Sequence, residues 1–305
     1  MNAERYAMLP SDIRRKLSQL NLQREGDIPP RPELGEAGGS QSEPQAPQAC
    51  ETRRKGSGVR APERPGVLPS QSALEDVLPG RVHARESGEL YIVERDVEVF
   101  YPSGAEKIAS AVELLRTLGV GPEEALFLDI ETCGLANCPL FLIGTMSVRR
   151  DGIRLDQLFA RSYAEEAAVL EHLAEMSSAY KMLITFNGKT FDVPYMRDRM
   201  VLHRIKHKFT QEHLDLLQHA RRLFKGVFSD CKLQTLEQHL CGRRRHGDTP
   251  GHLIPQLYHD FVRTANAAPI EGVFHHNALD IITMAELLPA MLASRENTDD
   301  TDGGG

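Results

Sequence analysis

Hydrophobic positions are unevenly distributed along the chain and predict one folded region between two polar tails. Residues 22–80 are rich in Pro, Gly, Ser, Gln, Glu and Arg and carry few large apolar side chains. Such a stretch cannot bury enough surface to offset the entropy of ordering it. We therefore predict a largely disordered tail over 1–80, a folded domain over 81–293 and a disordered acidic tail over 294–305.

Within the folded region, the spacing of apolar residues predicts a sheet with helices packed on it. One or two strands are indicated in ELYIVERDVEVF and a helix in AEKIASAVELLRTLG. Three apolar runs then follow closely and favour an antiparallel meander: ALFLDIE, PLFLIGTMSV and GIRLDQLFA, with Asp151-Gly152 as a tight turn. KMLITF and the short EHLDLL are each reached through a helix, which favours parallel strands. The predicted fold is α/β, with a mixed sheet of three antiparallel and then parallel strands.

The strand FLDIE ends in two acids that point the same way. Side chains alternate along a strand, so Asp129 and Glu131 share one face while Leu128 and Ile130 occupy the other. Two like charges on one face of a buried strand are costly unless a cation lies between them. Oxygen ligands favour Mg²⁺ or Mn²⁺. The alternative is an exposed strand end with two solvated carboxylates.

Two further acids stand at the edges of predicted elements. Asp192 lies in the first turn of a helix that follows a strand and turn, and Asp280 lies on a late helix. His276 is four residues before Asp280, so both side chains can reach one site from one helix face. Each acid alone is more typical of a helix cap or a surface position, but three acidic segments together favour a shared site.

These segments resemble a known set of motifs. DxE, N-x3-F-D and [YH]-N-x2-D are similar to the three motifs of DEDD-type 3′–5′ exonucleases, and residues 125–290 resemble the YprB-type ribonuclease H-like family. The resemblance lies in these stretches: FLDIETCGL, PLFLIG, TFNGKTFDVP, HLDLLQHARRLF, LQTLEQ, TPGHLIPQLYHDFVRT and HHNALDIITM. It implies a ribonuclease H-like fold and phosphodiester hydrolysis with two divalent ions. The metal ligands that it implies are Asp129, Glu131, Asp192 and Asp280.

The resemblance also implies roles for residues beside the acids. His276 has the spacing of the catalytic Tyr of tyrosine-type exonucleases, whereas His275 has the spacing of the His of histidine-type enzymes. Helical geometry favours His276, because the fifth residue before Asp280 is rotated away from it. We expect Asn187, Lys189, Phe191 and Asn277 to contact the substrate. Phe191 is equally compatible with a core position.

Asp215, in HLDLL, stands between a predicted short strand and a helix. We interpret it as a cap for that helix and leave it out of the metal set.

Charge is distributed in a way that suits a nucleic-acid partner. The chain has a net charge of −7, yet residues 197–245 contain twelve Lys or Arg against five Asp or Glu, a local excess of +7. This stretch is a candidate path for a phosphate backbone, although such runs are commonly only solvated surface.

The sequence thus favours a 3′–5′ exonuclease acting on single-stranded DNA or RNA. Alternatives are an endonuclease acting on structured or hybrid substrates and a non-catalytic nucleic-acid-binding module.

The five cysteines have no zinc spacing and are expected to be free thiols. No apolar run is long enough to cross a membrane and no signal peptide is evident, so we expect a cytoplasmic protein. The N-terminal segment 4–20 is weakly amphipathic, which suggests a protein partner of unknown kind.

Overall fold

The computed structural model describes residues 72–117 and 119–299. Over that part of the chain, a single mixed sheet contains β1 (Arg81–Arg85), β2 (Gly88–Asp96), β3 (Ala125–Thr132), β4 (Leu140–Arg149), β5 (Gly152–Phe159), β6 (Met182–Thr185) and β7 (Glu212–Asp215). The helices are α1 (Leu74–Val77), α2 (Val97–Phe100), α3 (Ala105–Thr117), α4 (Glu166–Ser177), α5 (Asp192–Leu202), α6 (Leu216–Phe224), α7 (Leu233–Leu236), α8 (Ile254–Thr264) and α9 (Ala268–Asp299). A π-helical turn, Glu237–Cys241, follows α7.

The strands lie in the order β1-β2-β5-β4-β3-β6-β7. Neighbours from β1 to β3 are antiparallel, and β6 and β7 are added parallel to β3. The predicted meander of β3, β4 and β5 is confirmed, with Arg149 pairing with Gly152 across a two-residue turn. The parallel arrangement of β6 and β7 is confirmed as well.

Helices cover both faces of the sheet and produce two hydrophobic cores. Leu126, Leu128 and Ile130 of β3 belong to the core that contains residues of α4, α5 and α8. Phe127, from the opposite face of the same strand, packs in a second core with residues of α3, α6 and the middle of α9. Asp129 and Glu131 share the face of Phe127, so they point towards α9.

Some local features differ from the sequence prediction. Strand β1 was not predicted, and Val97–Phe100 is a short helix and not a strand, because Asp96 accepts the backbone N–H groups of Glu98 and Val99 as an N-cap. The described region begins before the predicted domain boundary at 81: α1 contributes Leu74 to the core. Helix α9 continues beyond the predicted boundary at 293.

Residues 1–71, where the long tail and the N-terminal segment were predicted, lie outside the described residues, as do residues 300–305. In the described part of the chain, no helix is both long and apolar enough to cross a membrane.

Candidate active site

The DxE acids lie in the middle of the sheet, close to where its antiparallel and parallel halves meet. Asp129 pairs with Gly144 on β4, and the ladder between β3 and β4 shifts register between Glu131 and Thr132. Leu128 and Ile130 are buried on the other face, as the alternation predicted. The strand therefore presents Asp129 and Glu131 on one face, and it lies between β4 on one side and β6 on the other.

Helix α9 approaches the sheet closely at this point, and a buried polar contact holds it there. Asn277 donates a hydrogen bond of 2.9 Å to Asp129 Oδ2, while Gln157 of β5 donates one of 2.9 Å to Asn277 Oδ1. A Cβ atom on Gly144 would lie 2.1 Å from Asn277 Oδ1 and 2.4 Å from Ile281 Cδ1. A glycine is thus needed where the helix crosses β4, and Gly144 and Gln157 are functional candidates that the motif analysis missed.

His276 directly precedes Asn277 on α9 and lies one turn before Asp280, so the side chains of His276 and Asp280 share one face of the helix. His276 Nε2 lies 3.5 Å from Asp280 Oδ2, and its Nδ1 lies 2.9 Å from Asp248 Oδ2. His275 is exposed, and its ring packs edge-on against Phe100 with 6.1 Å between centroids. The structure therefore brings His276, and not His275, next to Asp280. Asp248 is a further residue that sequence analysis did not identify.

Asp192 begins α5, as predicted, and is buried at 4% exposure. It follows the turn Asn187–Lys189, which Asp215 fixes by accepting the N–H groups of Asn187 at 2.8 Å and Lys189 at 3.0 Å. Asp215 also accepts the N–H of Leu217 at the start of α6. The interpretation of Asp215 as a cap is confirmed, and the same side chain positions the segment that precedes Asp192.

Electrostatics shows that the four acids share one environment. Burial raises the pKa of Asp129 well above its usual range, and the charges of Asp280, Glu131 and Asp192 raise it further. Burial is also the main cause that raises the pKa of Glu131 to about 8, and that of Asp192 to about 7; the charge of Asp280 adds to both. The pKa of Asp280 is raised by burial in spite of the opposing charges of Arg245 and His276. Carboxylates from three separate elements thus repel one another across a short gap.

His276 has the opposite balance of effects. Burial lowers its pKa, but the hydrogen bond with Asp248 and the charges of Asp280 and Glu131 outweigh burial and raise it. The pKa of Asp248 is lowered, because His276 and Arg245 overcome the opposing effect of its own burial. The pKa of His276 is therefore above its ordinary value, and the imidazole lies between the carboxylates of Asp248 and Asp280.

The acids suit divalent cations by their chemistry. Asp129, Glu131 and Asp192 form no ion pair with a Lys or Arg within residues 72–117 and 119–299. Asp280 Oδ1 is buried and makes no hydrogen bond there, although Arg245 Nη2 lies 2.6 Å away as an ion pair. Across the same residues, no three His, Cys, Asp or Glu side chains already have the spacing of a formed metal site. Apart from Asp280, these oxygen donors have no Lys or Arg partner among the described residues, and carboxylate oxygens fit hard ions such as Mg²⁺ and Mn²⁺.

A cleft with a volume of about 530 Å³ opens above Asp129 and Asp280. Phe186 and Asn187 form part of its wall, which places Asn187 where substrate contact was predicted. The full lining is Asp129, Phe186, Asn187, Leu217, Arg221, Asp230, Cys231, Lys232, Leu233 and Asp280. An acidic floor below a rim with two basic side chains suits a substrate that carries phosphates.

Other predicted substrate residues lie elsewhere. Lys189 is partly buried near Asp215 and is absent from the described lining of the cleft; burial lowers its pKa. Phe191 packs against the core, 5.5 Å from the ring of Tyr195, and borders a second groove of about 400 Å³ beside α5. Asn277 is fully buried and contacts Asp129, so its role here is to orient that carboxylate.

The predicted basic path is only partly available to a ligand. Arg199 is paired with the buried Glu166, and Arg243 with Glu237 and Glu286. Arg245 is likewise internal. Three of the twelve basic residues in this stretch are therefore used in internal ion pairs, whereas the other nine, Arg221 among them, are exposed.

The segment of the chain that matches a known family contains this site. A family model described as the RNase H superfamily matches residues 126–292, which include all four acids. The chain belongs to the RNase H superfamily. Membership confirms the predicted α/β ribonuclease H-like fold, and it supports the coarse class of an enzyme that acts on nucleic-acid phosphodiesters.

One curated relative adds detail to the RNase H superfamily assignment, and one solved structure shows a weaker likeness. An uncharacterized protein, YprB of Bacillus subtilis strain 168, is 35% identical over 179 residues, which is 57% of this chain and 43% of the relative. This confirms the YprB-type resemblance, and the chain spans less than half of that relative. The family B DNA polymerase from the hyperthermophilic archaeon Pyrobaculum calidifontis matches with a TM-score of 0.45 and 15% identity, over 55% of this chain and 24% of the polymerase. That likeness is too low to add to the assignment.

Proposed function

We propose that this protein is a metal-dependent nuclease that hydrolyses single-stranded nucleic acid from its 3′ end. The observation that carries the proposal is a group of four carboxylates from β3, α5 and α9: the other three all raise the pKa of Asp129, and Asp129 and Asp280 line the cleft. Their pKa values are raised by burial and by one another's charges. Such a cluster is stable in its ionised form only with cations, and RNase H superfamily membership supplies the matching substrate class.

Asp129, Glu131, Asp192 and Asp280 would hold two Mg²⁺ or Mn²⁺ ions. Ions bound there supply stabilisation of the charge that develops on the attacking and leaving oxygens of an in-line displacement. Asp129 has a neighbour that fixes its orientation, because Asn277 donates to its Oδ2 and is itself held by Gln157. The carboxylate is therefore presented to the cleft in one rotamer.

His276 is placed to exchange a proton beside Asp280, which lines the cleft. Its Nδ1 is occupied by Asp248, which leaves Nε2 as the atom that faces Asp280 at 3.5 Å. A histidine in this setting can take up or release a proton near neutral pH during hydrolysis. Arg221 and Lys232 at the rim would bind substrate phosphates, with Asn187 beside the nucleotide.

Action from a 3′ end is supported by the similarity of the three acidic motifs to those of DEDD-type exonucleases and by the cleft. A cavity of about 530 Å³ has the size of a small-ligand pocket and suits a nucleotide unit of a single strand better than a duplex. DNA and RNA strands are both candidate substrates, and the test compares them.

The test uses single strands labelled at the 5′ end, in linear and circular forms of DNA and RNA, with Mn²⁺, with Mg²⁺ or with EDTA. We expect the linear strands to shorten stepwise and to release mononucleotides only with metal, while circles persist. Asp129→Ala should lose at least 100-fold in rate. Asp260→Ala, which removes an exposed acid paired with Arg263 on α8, is the matched control and should keep full activity.

Cleavage of the circular strands would show that the protein is an endonuclease and not a 3′ exonuclease. Metal-dependent binding without any cleavage would show that it is a nucleic-acid-binding module. Full activity of Asp129→Ala, purified free of host nucleases, would reject the site itself.

A further inference from the structure

The loop of residues 242–250 reaches the proposed active site from outside the three acidic motifs. It follows the π-helical turn Glu237–Cys241 and precedes α8. Arg245 contacts Asp280, which lines the cleft, and Asp248 contacts His276, which lies beside Asp280. The sequence of the loop, GRRRHGDTP, shows only a charge run, so its relation to the cleft is visible only in the structure.

Arg245 is a buried cation with three acidic neighbours. Its side chain is 5% exposed, and its nitrogens lie 2.7 Å from Glu237 Oε2, 3.1 Å from Asp248 Oδ2 and 2.6 Å from Asp280 Oδ1. The planar guanidinium fixes these directions, which an ammonium group would not. Asp280 is therefore held through Oδ1, while Oδ2 faces His276.

Asp248 holds the ring of His276 in a similar way. Its two carboxylate oxygens lie 3.0 and 2.9 Å from His276 Nδ1. Because Nδ1–H donates to this carboxylate, the imidazole ring is fixed with Nε2 towards Asp280. Arg245 in turn holds Asp248, so one loop sets the orientation of both α9 side chains.

We propose that the 242–250 loop is a positioning element of the metal centre, in which Arg245 orients the Asp280 carboxylate for metal binding and Asp248 orients His276 for proton transfer. This inference rests on the proposed function. The ion pairs agree with it: Arg245 also contacts Glu237 and Asp248, so it keeps two carboxylate partners when Asp280 binds an ion.

Arg243 provides a matched control for Arg245. It lies in the same loop and shares Glu237 and Thr283 with Arg245. Its ion-pair partners among the described residues are Glu237 and Glu286, and neither is one of the four acids of the site. Arg245→Lys and Arg243→Lys keep the charge and lose the guanidinium fork. Both should lower the melting temperature to a similar extent.

The first measurement is Mn²⁺ binding by calorimetry on the full chain, without substrate. We expect Arg245→Lys to weaken Mn²⁺ binding by about 10- to 100-fold and Arg243→Lys to leave it within about 3-fold of wild type. Equal Mn²⁺ affinities of the two variants would show that Arg245 has a structural role only and would overturn the inference. Tighter binding by Arg245→Lys would also overturn it, since Arg245 would then compete with the ion for Asp280.

The second measurement concerns Asp248 and uses the cleavage assay with saturating Mn²⁺. Asp248→Ala should lower kcat about 10-fold with little change in KM, because the ring loses its orientation. Asp248→Asn keeps an oxygen that accepts from Nδ1–H and should recover most of kcat. Equal loss in the Ala and Asn variants, or no loss in either, would contradict a positioning role for Asp248.

The two proposals fail in different ways. A wild-type protein that neither binds Mn²⁺ nor cleaves would reject the proposed function and this inference with it. A wild-type protein that does both, together with loop variants that match their controls, would reject the positioning role alone.

Discussion

Replacing Glu131 with Gln should make the metal-free protein more stable above neutral pH. Glu131 lies on β3 among three other acids, and its pKa is raised from 4.5 to about 8, first by burial and then by the charges of Asp280 and Asp192. Gln has nearly the same shape and never ionises. The substitution removes a charge whose presence in the folded state is unfavourable.

The sign and size of the effect follow from this pKa. Between pH 4.5 and about 8, folded Glu131 keeps its proton while the unfolded chain releases it, so the free energy of unfolding falls as the pH rises through this window. At 1.36 kcal/mol for each pH unit, the limit is ~5 kcal/mol. The four acids titrate together and water reaches the cleft, so we expect roughly 1–3 kcal/mol. Below pH 4.5 the gain should vanish.

The assay is urea denaturation in EDTA at pH 5 and pH 8, for wild type, Glu131→Gln and Glu113→Gln. Glu113 is a control because it lies on an exposed helix face, 66% accessible and paired with Arg116. Wild type should lose stability between the two pH values, Glu131→Gln should lose less, and Mg²⁺ at pH 8 should restore wild type. A wild-type free energy of unfolding that does not change between pH 5 and pH 8 would refute the inference that the four acids lie close together. Equal free energies of unfolding for the two Gln variants at pH 8 would refute it as well.

Three other perturbations test separate parts of the site. Gly144→Ala should cost about 1–3 kcal/mol and most of the activity, since its Cβ would lie 2.1 Å from Asn277 Oδ1; an unchanged urea midpoint would contradict this. Asp215→Ala removes the acceptor of three backbone N–H groups and should cost about 2 kcal/mol in the same denaturation assay, where wild-type stability would argue against the cap. Arg221→Gln combined with Lys232→Gln should reduce the salt dependence of single-strand binding, measured as the log–log slope, by about 1–2; an unaltered slope would place the phosphate path elsewhere.

The sequence allowed the sheet and the acidic motifs to be predicted because both depend on short-range pattern. Alternation placed Asp129 and Glu131 on one face of β3, and helical spacing placed His276 with Asp280. The meander was predictable from three adjacent apolar runs. Each of these inferences uses residues only a few positions apart, where backbone geometry alone decides direction.

What could not be predicted depends on contacts between distant parts of the chain. Arg245 stood at the end of the predicted basic stretch and Asp248 just beyond it drew no prediction; the contacts of their loop with α9 bring both to His276 and Asp280. Lys189 stood between two motif residues and suggested a phosphate contact; the structure holds its backbone to Asp215 and leaves its side chain partly buried, outside the described lining of the cleft. For such residues, spacing along the chain carries no information about the neighbours that the fold supplies.

The close approach of α9 to the sheet connects these long-range contacts with the motifs. Asn277 can reach Asp129 only because β4 has no side chain at Gly144, and Gln157 then satisfies the other end of the same amide. This buried polar contact fixes how far along its axis and in which rotation α9 sits, and therefore where Asp280, three residues later, enters the cleft. The geometry of the acids is thus set less by the acids, which repel one another, than by an uncharged hydrogen-bonded contact directly beside them.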